Sequence, residues 1–400
     1  MLTSETLSLI KLASTLMYYS GAASLRWETN THPHKIYLVH PLFPLSLKPL
    51  SYPTLTVLHF CVLLLYEAFM VCRLVQVHFF QASPLTTVLQ VVWNLLSYAM
   101  PVLIMINNFA RWTHFPHFIN AYILFWDNFR SAHFLPKHWR NGCERNLKIM
   151  VTLGMLITVQ NTVLILKFPE RPYFLTSLLE SPSSWRSGRG LILLLLQGWV
   201  WFSCWAHIFY YCFNFFAYAH PLVFILKELR YKSCLQPQAW SLRQKRCVFM
   251  TRNSLRSKFV FQNVYRSLQL LQAEFNFCCR DWLFPTHKGV VMMVAIVGIF
   301  GAIRLPPPRS VVMGVTATFA MLYLSLIFWR LGKIRQKSGE TLKAWKTAAG
   351  GARSKGFRKW LRSCLPLRVE IGGFYIVDRA TVVVVWGTVF NFTTTLLLST

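Results

Sequence analysis

The sequence predicts an all-α, polytopic membrane protein with seven transmembrane helices, its N-terminus cytoplasmic and its C-terminus extracellular. Three observations predict it. Of 400 residues, 54% are hydrophobic and only 14% charged, against about 45–50% and about 25% in ordinary soluble chains. Mean hydropathy is +0.40. The charge is lopsided, 42 Lys+Arg against 13 Asp+Glu for a net +29, and it is concentrated in alternate connections. A soluble nucleic-acid binder can carry that excess, but not together with 32 Phe and 15 Trp. Disorder is excluded as well, because the chain has ample apolar surface to bury.

A bilayer core of about 30 Å needs about 20 mostly apolar residues as a helix. Seven stretches qualify: Tyr52–Cys72, Leu85–Phe109, Ile149–Phe168, Leu191–Phe216, Val290–Ile303, Ser310–Trp329 and Ala380–Leu398. The fifth is short unless Pro285 to Gly289 lead into it. The fourth is long: no charge interrupts Leu191 to Leu226, about 54 Å of helix at 1.5 Å per residue. We read it as one span whose helix runs on past Pro221 into water. At the N-terminus, Met1 to Trp27 resembles a signal peptide only superficially, since Glu5 and Lys11 stand where such a peptide needs positive and apolar residues. An amphipathic or re-entrant leader is expected instead.

Partitioned by span, 35 basic residues fall on one side and 7 on the other. The positive-inside rule then orients the chain, and a multi-pass protein of the plasma membrane is expected. Six cysteines, Cys143, Cys234, Cys247, Cys278, Cys279 and Cys364, lie in the cytoplasmic connections, so no external disulfide framework is expected. The organisation that follows has a cytoplasmic arm (residues 1–51) and then spans one to four with the extension of the fourth (52–226). A cytoplasmic helical anchor region (227–288), spans five and six (289–330), a basic cytoplasmic connection (331–379) and the last span (380–400) complete it.

Among the connections, residues 169–190 contain Pro, Ser and Gly and little else of note. Leu305-Pro306-Pro307-Pro308 turns the chain sharply between spans five and six. Leu255, Phe259, Val264, Leu268, Leu271 and Phe275 recur at helical spacing with Arg256, Lys258 and Arg266 between them. This is an amphipathic helix of about six turns, either lying on anionic lipid or packing in a cytoplasmic bundle. Lys333 to Arg362, with Gly350, Gly351 and Gly356, reads as a solvated linker.

No catalytic arrangement stands out, and no cofactor, metal or nucleic acid is expected. The pairs His32/His34 and His114/His117 lack carboxylate or cysteine partners at ligand spacing, and Cys278-Cys279 lacks a second pair. His207 reads as a hydrogen-bonded interior residue. Polar residues inside spans carry more information, because lipid penalises them. On the outer halves these are Glu67, Gln90, Asn94, Gln160, Asn161 and Gln197, beside Trp93, Trp199 and Trp201. They read either as the lining of a small-molecule pocket or as interhelical hydrogen bonds and an aromatic belt. Glu67 is the only acidic residue within a span.

In the last span Val384, Thr388, Asn391, Thr395 and Leu398 share one face at spacings of four, three, four and three. Its polar members either form a packing seam or line a water-filled path. One helix encloses no pore, so the second reading requires an oligomer.

Seven spans, a cytoplasmic N-terminus, a long fourth helix and a basic region between spans four and five together resemble the insect gustatory receptor family, relatives of the insect odorant receptors. Locally the likeness is greatest where Gly373-Phe374-Tyr375-Ile376-Val377-Asp378-Arg379 leads into the last span. The family's closing Thr-Tyr, five apolar residues and Gln-Phe correspond here to Asn391-Phe392, Thr393 to Leu397 and Leu398-Ser399, so only the aromatic and the spacing survive. The resemblance implies a taste chemoreceptor that is a ligand-gated cation channel, a homo- or hetero-tetramer around one pore, rather than an enzyme. It implies a pore lined by the last helix with Leu398 and Ser399 near the gate, cytoplasmic helices anchoring the subunits, and a tastant bound in the outer half of each bundle. Permeating cations and membrane lipid complete the expected partners. The alternative is a seven-helix membrane protein of another class: a G-protein-coupled receptor, a transporter or an intramembrane enzyme.

Overall fold

A computed structural model of the chain describes residues 4–19, 26–29, 36–39, 52–81, 83–111, 114–135, 142–179, 188–231, 250–307, 309–349, 355–373 and 375–399. It is a helical bundle. The helices are α1 (Ser4–Tyr19), α2 (Tyr52–Val75), α3 (Leu85–Ala110), α4 (His114–His133), α5 (Gly142–Lys167), α6 (Gly188–Glu228), α7 (Lys258–Cys279), α8 (Leu283–Arg304), α9 (Arg309–Ala349), α10 (Lys355–Ser363) and α11 (Ala380–Leu398). Two antiparallel pairs accompany them, β1 (Arg26–Thr29) with β2 (Ile36–Val39) and β3 (Glu370–Ile371) with β4 (Tyr375–Ile376). Gly372, at φ 58°, makes the tight turn between β3 and β4.

Each of the seven expected spans lies in a helix: α2, α3, α5, α6, α8, α9 and α11. Six of them, all but α5, are long and apolar enough to cross a membrane among the described residues, and α5 runs 26 residues at the third position. Many α5 side chains lie outside the described ones. The short fifth stretch is completed by Leu283 to Gly289, giving α8 22 residues. α6 is continuous over 41 residues with Pro221 inside it. Between Phe209 and Leu229 it is buried almost all round, as befits the central post of the bundle. α8 and α9 pack tightly after the proline turn: a Cβ on Gly298 would come within 2.9 Å of Ala317 Cβ. Small residues here let two backbones approach, the usual device where lipid supplies no hydrophobic drive.

We call the two ends of the bundle the loop end, which carries residues 168–179, and the basic end. At the basic end α4, α7, α10 and the far halves of α6 and α9 build a large aromatic core. Tyr218 and Phe275 stack in it with rings 4.3 Å apart, and Phe118 meets both at an angle. The amphipathic helix is therefore a packing helix, with Phe261, Val264, Tyr265, Leu268, Leu271 and Phe275 inside. Phe259 corrects the expected stripe: it is 72% exposed, and Phe261 takes its place in the core. α1 also packs on α6, burying Ile10, Ala13 and Met17.

The reading of Lys333–Arg362 as a solvated linker is wrong. α9 runs unbroken to Ala349, and Ile334, Ser338, Thr341, Leu342 and Trp345 form a buried face. Thr341 Oγ1 donates to Leu226 O at 2.7 Å and Trp345 Nε1 to Leu229 O at 2.7 Å. These cap carbonyls at the end of α6 that the helix itself leaves free. α10 adds buried Phe357 and Leu361. The basic residues line the outer faces of these helices, so high charge density and helical packing coexist. Gly350 and Gly351 lie outside the described residues.

Candidate functional site

Residues 168–179, expected to be featureless, instead fold over the loop end of the helices. Tyr173, Phe174, Leu175 and Thr176 are buried. They are held by a closed hydrogen-bond chain. The Leu175 N–H donates to Gln197 Oε1 at 3.1 Å, Gln197 Nε2 donates to the Tyr66 hydroxyl at 2.9 Å, and that hydroxyl donates to Tyr173 O at 3.1 Å. Gln197 is 0% exposed, so it spends both ends of its amide on a buried join between α2, α6 and the loop. Arg73 adds bonds to Ser177 O and Oγ, each 3.1 Å. Arg171 donates to the Tyr173 hydroxyl at 2.6 Å and lies 4.3 Å from the Phe168 ring.

Beneath this cover α2, α3 and α6 enclose an aromatic seat. Tyr66 and Tyr98 meet edge to face with centroids 4.7 Å apart, and Phe174 meets Trp201 at 5.9 Å. Several polar atoms of α2 and α6 are buried with no hydrogen-bond partner: Glu67 Oε1, Trp201 Nε1, both ring nitrogens of His59 and His207 Nε2. His59 lies flat against His207 at 5.6 Å and edge-on to Trp199 at 4.6 Å. His207 is interior, as expected, but only its Nδ1 is bonded, to Ser203 O at 2.7 Å. Buried polar atoms left unmatched in a structure that matches most of its others are unusual. Glu67 and Trp201 lie beside the covered end, His59 and His207 lie deeper along α2 and α6, and Tyr210 Oη and Asn107 Nδ2 are likewise unpartnered farther towards the basic end.

The residues singled out from sequence divide in two. Glu67, Gln197, Trp199 and Trp201 gather around the α2–α6 seat. Trp93, on α3, packs instead on a second cluster with Leu89, Val297, Phe300, Leu305 and Met313, facing α8 and the start of α9. Asn94 Nδ2 donates to Gln90 O at 2.8 Å within α3, so this pair makes a local bond. Gln160 and Asn161 lie on α5 with side chains outside the described ones. Tyr66, Tyr98, His59 and the residues 173–176 were missed. The run Tyr173-Phe174-Leu175 was the available signal: three large apolar residues in a short, supposedly wet loop.

At the bundle's edge α11 is held along one narrow seam. Thr381, Val385, Val389 and Thr393 are its only buried residues. Asp378 caps it, accepting from the Thr381 N–H at 3.1 Å. Val384, Asn391, Thr395, Leu398 and Ser399 are exposed and Thr388 is half-buried. Thr388 and Thr395 donate to Val384 O and Asn391 O of their own helix, so their hydroxyl protons are used and their lone pairs face outward. Among the described residues no group of three His, Cys, Asp or Glu is placed to hold a metal ion. His114 meets Phe277 instead, and His117 Nε2 lies 3.7 Å from Glu274. His32 and His34 lie outside the described residues.

No protein-family model and no curated protein matches the chain. Solved structures do. The insect olfactory receptor OR5 of Machilis hrabei matches with a TM-score of 0.60 at 8% identity, over 98% of each chain. The same receptor in complex with eugenol matches with a TM-score of 0.57 at 9% identity, over 99% of this chain and 100% of that one. At such low identity with end-to-end coverage, what is shared is the whole course of the chain. The protein thus has the seven-helix fold of this insect olfactory receptor, in a sequence that shares only 8–9% of its residues.

Proposed function

We propose that this protein is a taste chemoreceptor of the plasma membrane acting as a ligand-gated cation channel, with α11 from each of four copies lining one pore. The N-terminus and the basic end face the cytoplasm; the C-terminus and the loop end face outward. The observation that carries the reading is the surface of α11. Asn391, Thr395 and Leu398 stand free of the single chain, Leu398 at 83% exposure, while the opposite seam binds α8 and α9. A polar stripe at membrane depth is costly against lipid. A ring of copies places it on water and leaves the apolar Val383 and Trp386 faces for neighbours and lipid.

The ligand belongs in the covered seat of α2, α3 and α6. Glu67, Gln197, Trp199, Trp201, Tyr66 and Tyr98 supply a mostly aromatic surface with a few convergent polar groups, the usual make-up of a small-molecule site. The unpartnered atoms favour a compound with hydroxyl or amine groups over a pure hydrocarbon. Gln90, Trp93 and Asn94 lie on its margin towards α8, and Gln160 and Asn161, on α5, belong to the proposed site as well. Ligand contact then reaches α11 through α8 and α9, on which the pore helix is seated.

Whole-cell recording of the expressed protein tests this, with sugars, bitter compounds and eugenol applied in turn; eugenol is the molecule held by the Machilis receptor in its solved complex. An evoked cation current abolished by bulky substitutions such as Asn391→Trp and Thr395→Trp is expected. A robust current left unchanged by both would defeat the pore assignment.

A further inference from the structure

The exposed face of α9 runs Leu322, Leu326, Trp329, at 50%, 42% and 39% exposure, and the next residue of that face is Lys333. An apolar stripe thus ends in a cation at the point where the span ends. The Lys333 ammonium lies 3.2 Å from the Trp329 ring centroid and the Arg330 guanidinium 5.1 Å from it. A second helix brings more charge to the same place. A Cβ on Gly332 would come within 2.6 Å of Asp378 C and 2.9 Å of Arg379 N. The missing side chain therefore lets the lead-in to α11 lie directly on α9 and sets Arg379 beside the lysine. Lys227 arrives from α6, next to Leu226, whose carbonyl is bonded to Thr341 of α9.

The carboxylates nearby are committed elsewhere. Asp378 caps α11 and lies 3.7 Å from Arg335; Glu340 takes Lys337 at 2.7 Å and Arg230 at 3.5 Å. Among the described residues no carboxylate pairs with Lys227, Lys333 or Arg379. The crowding shows in Lys333, whose pKa is pushed down to about 8, first by burial and then by Arg330, Lys227, Arg379 and Lys337. Folding has gathered like charges that Coulomb repulsion disperses unless an anion joins them.

We propose that Lys227, Arg330, Lys333 and Arg379 bind the headgroup of an inner-leaflet inositol lipid carrying two phosphomonoesters, its acyl chains lying on Leu322, Leu326 and Trp329. Each phosphomonoester brings about −1.5 to −2 charge and three acceptor oxygens, so two of them match the three cations without a carboxylate partner, Lys227, Lys333 and Arg379, with Arg330 at their edge. The placement at the inner leaflet rests on the orientation given under Proposed function. Because Arg379 immediately precedes the pore helix, the lipid bridges α9 and α11 and steadies the base of the pore.

The test uses the full chain in phosphatidylcholine nanodiscs with and without phosphatidylinositol 4,5-bisphosphate. Charge-matched phosphatidylserine and a water-soluble inositol trisphosphate serve as comparison arms. Lipid retention by native mass spectrometry and the shift in melting temperature are read. The inositol lipid is expected to raise the melting temperature and to remain bound. Lys333→Gln with Arg379→Gln is expected to weaken it about thirtyfold, at the usual worth of each basic residue near an anionic surface. Lys343→Gln with Lys346→Gln, farther along α9, keeps the binding, and Lys333→Arg restores it. If the double variant fails to fold, the exposed Lys227→Gln carries the test with a smaller loss. Equal stabilisation by phosphatidylserine, full stabilisation by the soluble phosphate alone, or undiminished binding in the variants would overturn the proposal. No current is read, so a silent channel leaves the result intact.

Discussion

The two ends of the bundle hold their buried polar groups differently. At the basic end most of them join a hydrogen-bond network. Tyr265 donates to Leu365 O at 2.9 Å and accepts from Ser338 at 2.8 Å, Glu228 accepts from Met250 N and Thr251, and Tyr218 donates to Gln272. Atoms left over there include Tyr210 Oη and Asn107 Nδ2 on fully buried side chains, and Glu274 Oε2 and Gln336 Oε1 on half-buried ones. At the loop end Glu67 and Trp201 each hold back a buried atom, and His59 and His207 hold back theirs deeper along α2 and α6. A matched aromatic core is a scaffold with a single arrangement. The basic end thus carries the denser network, and the proposed ligand site lies at the other end.

Truncating the scaffold breaks this contrast most severely. Trp345 is 2% exposed, lies 4.3 Å from the Phe261 ring and caps Leu229. Trp345→Ala is predicted to cost about 3–5 kcal/mol, the range for large aromatics removed from a core. Size-exclusion profiles of the solubilised protein should show the monodisperse peak lost. A normal peak would mean the basic end is not the scaffold.

The cover over the seat is worth less. Gln197→Leu strands the Leu175 N–H and removes a donor from the Tyr66 hydroxyl, a loss of about 1–3 kcal/mol for unmatched buried groups. That is too little to unfold the bundle and enough to free the loop. Faster proteolysis between Phe168 and Leu179 and a shifted ligand dose–response, with an unchanged size-exclusion profile, are the expected outcome. Global unfolding would place Gln197 in the scaffold instead.

The smallest effect lies at the boundary between the two regions. Lys333 titrates near 8 in the folded chain against an ordinary 10.5, so folding disfavours its charged form. That penalty is present in full below pH 8 and is relieved as pH rises towards 10.5. In detergent without anionic lipid, Lys333→Gln is therefore predicted to be more stable than the wild type at pH 7, with the advantage shrinking between pH 8 and 10.5. A constant difference in melting temperature across that window would contradict the crowding of charge at Lys333.

Much of the fold was legible before any coordinates, and the reason is the solvent. Lipid forces each span to be a helix of known minimum length, so seven apolar runs and their flanking Lys and Arg specify most of the architecture. The uncharged course from Leu191 to Leu226 likewise announced one long helix. The extension of α9 was less legible because Lys333, Arg335, Lys337, Lys343 and Lys346 dominate its composition. Its buried face, Ile334, Ser338, Thr341, Leu342 and Trp345, keeps helical spacing with small polar members that conceal it. α4 is concealed for a different reason: Phe115, Phe118, Tyr122, Trp126 and Phe129 recur at helical spacing, but they sit in a connection whose basic residues dominate its composition. Least legible was the seat itself. The pairing of Gln197 with Tyr66 and Leu175 joins residues up to 131 positions apart, and no local pattern encodes that meeting. The face of α11 was visible in spacing, whereas its freedom from the rest of the chain emerges only from packing.

The central claim is that this free face lines a water-filled path. Single cysteines placed around α11 in a ligand-responsive background, exposed to a charged, membrane-impermeant thiol reagent during recording, test it most directly. Reagent should block the current through Asn391→Cys and Thr395→Cys, beyond any effect on the native cysteines. Val389→Cys, on the seam with α8 and α9, should be untouched. Block at position 389 with none at 391 or 395 would show that the helix presents another face to the ions, and would contradict the account.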